Sequence, residues 1–538
     1  MEPGAVQQGI DVAAAVRRHD ERRRARMPYE DKWDQIAPMV RPIREEFSAV
    51  RDEAGFRGVR NYDSTGPTAL DEAGAAIYSM MTSADNIWAP VEFESRALRE
   101  DPAAARWLEG VNEVLFRTFD PGVSNFYTEA PEAILDCIAF GPGAFYSARP
   151  PGADYFIDQA LPLVECFAQR DAFGALSAFD RRYSMSRFAI RDQFPRAPLP
   201  PAFIQRLNNH PDERVEVLHT VWREPGATGA RRFTSAYILL EHGKPLLLQK
   251  GGYDEMPFFY PGWSWASGEA YPRGRGEFAL ADAQILSEMG RTALVQGQRV
   301  AEPPLATHND IGALVSLEPN AVNAGAIDDY GRQLVQPIQL SGSMPVTLEM
   351  QNQRREAIRE IFYHSMLSLV GSPTPSVVEI LKRDERRDQS MAPNLARLMA
   401  QFFAPLILRR FSILMRAGQF EPAPVQAQGG NLRVRFVSPL AKAHRSQKAM
   451  ATLQTVEAVA QVAAVDPEAR FVLNGENAAR HIADGFAAPD DVLWSRDEAQ
   501  ERRRAAQEAE QIAATVEQAQ IGAQAVDSLA RAQAAGRQ

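Results

Sequence analysis

The clearest alternation of apolar and polar positions lies between residues 277 and 420, and it predicts three helices interrupted by one excursion. From 278 to 300, Ala279, Ala283, Leu286, Gly290, Ala293, Gly297 and Val300 recur at alternating spacings of four and three, which puts them on one helix face. That face is almost bare of large side chains. Each interior glycine costs a helix roughly 1 kcal/mol relative to Ala, so a close approach by another helix is the compensation it implies. Pro303 and Pro304 stop the helix, because proline lacks the N–H and clashes with the preceding turn. Residues 305–345 are rich in Gly, Pro, Asn and Asp, with β-like runs at 313–317 and 333–340, and read as a small strand-and-turn lobe. A second helix follows over 347–370, with Ile358, Ile361, Phe362, Ser365, Met366 and Leu369 on one side and Arg354, Arg355, Glu356, Arg359 and Glu360 largely around the rest. Gly371-Ser372-Pro373-Thr374-Pro375 breaks it, and a third helix, capped by Thr374 or Ser376, runs with interruptions to Arg416.

On the N-terminal side, residues 11–40 read as a helix broken at Pro28. Asp63, Ser64 or Thr65 caps a second helix carrying Ala69, Leu70, Ala73, Ala76, Ile77, Met80 and Met81. Two more are expected at 102–119 and 125–140, the latter closed by Gly141-Pro142-Gly143. Strands are expected at 144–147, 161–169, 215–223 and 233–248, with a turn at 241–244, and helical segments at 184–194 and 198–208 interrupt them. Residues 11–277 are therefore an α+β body. Beyond a Pro- and Gln-rich linker at 421–430, the pattern gives a strand at 431–437 and helices at 439–465, 467–473, 474–484 and 489–535. In the last, Ile512, Val516, Ala519, Ala523, Val526 and Ala530 keep a four-three spacing that suits an Ala-rich bundle, with so little apolar bulk that neighbours are needed to hold it.

Composition is that of a folded soluble chain: 45% hydrophobic and 24% charged over 538 residues. A net charge of −10 argues against broad coating of nucleic acid, which needs a basic surface to neutralise phosphates. It is compatible with a lumen that lets DNA slide without sticking. Two cysteines, Cys137 and Cys166, make no disulfide framework and suit a reducing compartment. The N-terminus shows no signal-peptide pattern, and the apolar run at 402–408 is far shorter than the ~20 residues of a membrane span. The arginines at 17, 18, 22, 23, 24 and 26 read either as a DNA-binding arm or, diluted by Asp20, Glu21, Glu30 and Asp31, as a solvated helix face. The aromatic run at 256–265 is either core packing or a stacking platform for bases.

Catalytic constellations are missing. Gly243-Lys244 is followed by Pro245, so no phosphate-binding loop exists. The segment 262–266 lacks the fifth-position Gly of a nucleophile elbow. The eight histidines show no ligand spacing, and the acidic doublets Asp254-Glu255, Asp328-Asp329 and Asp490-Asp491 read as solvated loops or helix starts rather than as metal sites. No cofactor and no metal are expected.

The segments 373–380, 402–411 and 438–443, together with Asp63-Ser64-Thr65, Ser79-Met80-Met81-Thr82, Trp88 and the run Gly268-Glu269-Ala270-Tyr271-Pro272-Arg273-Gly274, resemble the head-to-tail connector, or portal, proteins of short-tailed bacteriophages (podoviruses). The chain departs from the family pattern at Ala89, Pro272 and Glu277. The resemblance covers about residues 11–494 and implies a predominantly helical α+β portal fold assembled as a ring. Its parts would be a wing (1–276), first stem helix (277–300), clip (301–345), second stem helix (346–370), channel loop (371–376), wing helix and return strand (377–437), helical crown (438–494) and C-terminal helix (495–538).

By the same resemblance the channel loop is Gly371, Ser372, Pro373, Thr374, Pro375 and Ser376, and Lys382, Arg383, Arg386 and Arg387 are the candidates for phosphate contact. Asp384, Glu385 and Asp388 among them make salt bridges between subunits an equal alternative. Stem packing would use Ala283, Leu286, Gly290, Ala293 and Gly297. The implied assembly is a ring of twelve copies at a capsid vertex of the virion, made in the host cytoplasm, with no enzymatic activity and no membrane. Its implied partners are the terminase large subunit, the major capsid and scaffolding proteins, tail adaptors, and double-stranded DNA in the channel. Two rival readings are a metal-dependent hydrolase using the acidic doublets and a DNA-binding accessory protein using the basic N-terminal helix.

Overall fold

The computed structural model describes residues 10–44, 61–82, 87–150, 152–224, 232–241, 243–266, 269–307, 344–367, 391–436, 439–463, 466 and 472–485, with short pieces within 316–338 and 494–506. Chain contacts divide it into two units, Met1–Val437 and Ser438–Gln538.

In the first unit, helix α1 (Val12–Val40) starts at Asp11, whose carboxylate accepts the Ala14 N–H at 3.0 Å. It runs unbroken through Pro28 and Pro38, contrary to the expected break. The flanking turns are held from outside the helix ladder: Trp33, Ile36, Ala37 and Val40 are buried, and Arg26 pairs with Glu30 one turn on, at 2.6 Å. The solvated-face reading of its arginines also needs correction. Arg22 and Arg26 point inward with Ala15 and His19, while Arg17, Arg18, Arg23 and Arg24 stay outside. Arg22 Nη1 and His19 Nδ1 meet the sealed Asp180 carboxylate at 2.7 and 3.1 Å, and Arg26 Nη1 donates to the carbonyls of Leu163 (2.8 Å) and Cys166 (2.7 Å). Burial pushes the Asp180 carboxyl upward, but His19 and Arg22 outweigh it and hold the group below its usual range.

Helices α2 (Thr65–Met81), α3 (Arg96–Glu100), α4 (Pro102–Arg117) and α5 (Phe126–Phe140) follow, with strand β1 (Val91–Phe93) before α3. Asp63, two residues before Thr65, accepts its N–H at 2.9 Å and so begins α2. Trp88 sits among Phe116, Phe119, Phe126 and Phe403, with ring centroids 5.4 to 6.1 Å apart. Aromatic contacts of this kind add to the largest burial terms available to a core.

Strands β2 (Phe145–Ala148), β3 (Ile157–Ala160) and β9 (Phe258–Phe259) make one antiparallel sheet in the order β3-β2-β9. A five-stranded antiparallel meander, β4 (Cys166–Arg170), β5 (Leu176–Ser186), β6 (Arg214–Arg223), β7 (Phe233–Leu240) and β8 (Leu246–Tyr253), lies beside it. Three details differ from the sequence reading. Residues 163–165 form a tight turn, so β4 starts only at Cys166; β5 is a long strand where none was expected; and α6 (Arg187–Gln193) begins after residues 184–186, which belong to β5. Helix α7 (Pro201–Asn209) buries Phe203 and Leu207, and Phe203 packs with Val215, Val217, Tyr237 and Leu239 of the meander.

The aromatic run at 256–265 is core: Phe258, Phe259, Tyr260 and Trp263 are buried, and Phe258 stacks on Phe179 at 4.4 Å. It leads into α8 (Arg275–Ala301). A short ladder of β10 (Leu305–Thr307) with β11 (Val335–Pro337) follows; of the other expected strand, at 313–317, only Ser316 is among the described residues. Then come α9 (Met344–Ile361), α10 (His364–Leu367) and α11 (Met391–Arg416). The helix expected over 347–370 is therefore broken at Phe362 and Tyr363, and Tyr363 takes φ 65°.

By length and composition α11 passes for a membrane span, yet it is a core helix, burying Phe402, Phe403, Leu406 and Ile407 and the ion-paired Arg410. Its middle turn, Met399–Phe403, widens to π geometry just ahead of Pro405, a usual way for a helix to accommodate a proline. Strand β12 (Leu432–Val434) returns to pair with β1, Phe93 opposite Leu432. In the second unit, α12 (Pro439–Ala463) packs against α13 (Gly475–Gly485).

Candidate functional site

Helices α8 and α9 pack on each other, and α8 also contacts α1 and α5. Its first turns are sealed. Gly276 lies so close to α5 and α1 that a Cβ there would fall on the Ala139 carbonyl oxygen and the Ile36 side chain, and Ala279, Ala283, Leu286 and Ser287 are all buried. Beyond Ser287 the helix emerges. Gly290 faces the backbone of Tyr62, where a Cβ would meet its carbonyl oxygen at 3.1 Å; Ala293 is half-buried; Gly297 has open space around it. The candidate face thus divides. Ala283 and Leu286 pack within their own chain, whereas Gly297 faces none of the described residues. Exposed apolar side chains accompany this outer stretch: Leu294 and Val300 on α8, Leu348 and Met350 on α9.

Charge ties the two helices to the body. Arg354 on α9 meets Asp282 on α8 at 2.6 Å, Lys32 on α1 meets Glu277 at 2.9 Å, and Arg355 reaches Asp63 at 2.9 Å. Burial pushes the Asp63 carboxyl upward, but the bonds from Thr65 and Arg355 prevail and keep it below the usual carboxylate range.

A joint at the foot of the pair went unseen in the sequence. Arg275, the first residue of α8, donates to the Tyr363 hydroxyl and lies 4.3 Å over its ring. Asn394 Nδ2 donates to the same hydroxyl at 3.3 Å, and Arg397 bonds both Asn394 Oδ1 (3.0 Å) and the Trp263 carbonyl (2.9 Å). One tyrosine therefore joins the starts of α8 and α11 to the end of α9. No local signal marks it, since Ile361-Phe362-Tyr363-His364 contains neither Gly nor Pro. The inward stripe of α1 was also missed, although a local signal existed: residues 15, 19, 22, 26 and 33 share one helix face, which separates Arg22 and Arg26 from the exposed arginines.

The expected channel loop, Gly371 to Ser376, and the basic candidates Lys382, Arg383, Arg386 and Arg387 lie outside the described residues. Among the described residues no cluster of His, Cys, Asp and Glu is arranged to hold a metal ion. An open cleft of about 640 Å³ is lined by Arg206, Asn209, His210, Pro211, Asp212 and Glu213, and its acid Glu213 is engaged by Arg187 at 2.8 Å.

A helix pair locked at its root presents small and apolar side chains farther out, the kind of surface a structural subunit offers to other protein. The comparisons with known proteins agree. A family model described as bacteriophage head to tail connecting protein matches residues 13–493, and the chain belongs to that family. It is 23% identical to the portal protein of Salmonella phage epsilon15 over 528 residues, covering 94% of this chain and 93% of that one. To the probable portal protein of Bordetella phage BPP-1 it is 24% identical over 459 residues, covering 81% and 80%. A head-to-tail connecting protein is a structural component of a phage particle and not an enzyme.

Proposed function

We propose that the protein is the portal of a short-tailed phage: a ring, of twelve copies by analogy with the family, at one capsid vertex, through which double-stranded DNA is packaged and later ejected. The observation that carries this reading is the family match along nearly the whole chain, alongside two relatives named as portal proteins. A cyclic ring is built head to tail and needs two different surfaces per subunit. The outer half of α8, with Ala293 and Gly297, supplies one of them. On this reading residues 305–345 form the clip that docks the terminase large subunit and later tail adaptors, and capsid and scaffolding proteins contact the wing. Residues 371–376 face the DNA, with Lys382, Arg383, Arg386 and Arg387 close to its phosphates.

Mass photometry or negative-stain imaging of the purified chain tests the proposal: twelve copies of 59.6 kDa should appear as an annulus of roughly 0.7 MDa with an axial hole. A compact monomer at micromolar concentration, even with capsid components present, sinks it. The accessory DNA-binding reading is disfavoured because Arg22 and Arg26 are spent on buried contacts, which leaves Arg17, Arg18, Arg23 and Arg24 beside Asp20 and Glu21.

A further inference from the structure

The β4–β5 hairpin carries Phe173 at its tip, 96% exposed, the highest value of any large apolar side chain among the described residues. The turn beneath is complete without it. Asp171 Oδ1 accepts the N–H groups of Phe173 and Ala175, both at 2.9 Å, the Asp171 N–H reaches the Ala175 carbonyl at 2.9 Å, and Gly174 supplies φ 82°. Arg170 fastens the hairpin to the body. Its Nη1 donates to the Gly174 carbonyl at 2.6 Å, its Nη2 to the Tyr260 carbonyl at 2.5 Å, and its guanidinium lies 4.4 Å over Trp265. A polar residue at 173 would serve this turn equally well, and an aromatic ring left in water forgoes a large burial free energy. An aromatic on a turn already fixed in shape loses little entropy on docking, which is the character of an anchor residue.

Phe188, which follows β5, is also exposed, and strand register says where the tip lies relative to two further exposed apolar side chains, Tyr155 and Ile157, beside an open strand edge. Arg181 on β5 donates to Gln159 on β3 at 3.1 Å, and Phe179 stacks on Phe258, so the middle of β5 is level with Gln159, Tyr146 and Phe258. From there the hairpin tip lies toward Tyr260, which Arg170 touches, whereas Ile157, opposite Ala148, lies the other way. Tyr155 and Ile157, 52% and 42% exposed, thus stand at the far end from Phe173. Strand β3 ends its sheet, so its second edge has no strand partner among the described residues. A head-to-tail contact joins two different surfaces of each copy, and two unlike apolar features at opposite ends of one block supply such a pair.

We infer that Phe173 of one copy docks against the Tyr155–Ile157 edge of the next copy of this chain. The inference rests on the ring reading above and adds a named contact to it. Because Arg170 joins the hairpin to Tyr260 and Trp265, in the segment that leads into α8, this docking also sets where the root of α8 stands relative to its neighbour.

The test uses the full-length chain with benzoylphenylalanine at position 173, irradiated under assembling conditions. Covalent dimers and longer ladders are expected, with the crosslinked peptide of the second copy mapping to residues 153–158. Phe173→Asp should need at least about tenfold more protein for half-assembly than wild type. Phe173→Leu should stay near wild type, and the thermal unfolding of unassembled Phe173→Asp should match that of the wild-type subunit. Crosslinks that map elsewhere in the chain or only to other proteins, or a Phe173→Asp variant that assembles like wild type, overturn this contact and leave the ring standing. A wild-type chain that never assembles overturns the ring and this contact together.

Discussion

Arg410 and Asp158 are both sealed from solvent and pair directly, with Thr118 and Ser124 satisfying further atoms and Phe119 and Phe156 packed over the guanidinium. Burial lowers the arginine's proton affinity, and Asp158 offsets only part of that loss. Removing one partner strands the other charge, so Arg410→Ala should lower stability by roughly 3–5 kcal/mol, and Arg410→Met combined with Asp158→Asn should recover part of it; urea melts of wild type and these two variants check this. His219 is a second sealed group, stacked on Tyr237 at 3.9 Å and bonded to Ser235 at 3.0 Å. Burial first, and Arg181 second, pull its pKa down to about 3. Unfolding would return it to about 6.5, so the unfolded chain binds the extra proton, and the stability this group contributes is complete above about pH 6.5 and drains away as pH falls toward 3. Melting temperature should therefore drop between about pH 6.5 and 4 in wild type and drop less in His219→Gln.

Among the elements, α8 was the most legible, because its stripe of small residues and its proline stop are both local signals. It starts at Arg275, two residues earlier than expected, and its root packs inside the subunit. If its outer half meets a neighbour, Gly297→Ala should raise subunit stability by up to about 1 kcal/mol through helix propensity, while Gly297→Phe should leave subunit melting unchanged and block ring formation. Equal rings from both variants would remove this face from the interface. Strand β5 was illegible for a physical reason. Its Asp180 points into the core to meet His19 and Arg22 of a distant helix, so the apolar alternation that marks a strand is interrupted where the strand is most buried. The break at Tyr363 escaped for a related reason: Arg275, Asn394 and Trp263 hold a left-handed tyrosine that local sequence would place in a helix. Tyr363→Phe keeps the ring and loses the shared hydroxyl, and calorimetry should register a loss of about 1–2 kcal/mol.

For the whole molecule, hydrophobic pattern and turn chemistry conveyed the class, mostly helical with an α+β body, while the joints that hold the body together came from residues far apart in sequence. The pairing of β1 with β12 is the extreme case, since Phe93 waits for Leu432. Between them they cover one pocket of apolar side chains: Phe93 packs with Ala104, Leu108, Val111 and Ala427. During synthesis the ribosome delivers these partners more than three hundred residues apart, so the growing chain holds that seam open until residues 432–434 emerge. A fragment ending at residue 428 should accordingly be prone to aggregate and one ending at 437 should not, a difference readable in a sedimentation assay. Synthesis past β12 is thereby built into the fold as a condition: a product terminated before residue 432 carries an open apolar flank, and one terminated beyond 434 does not.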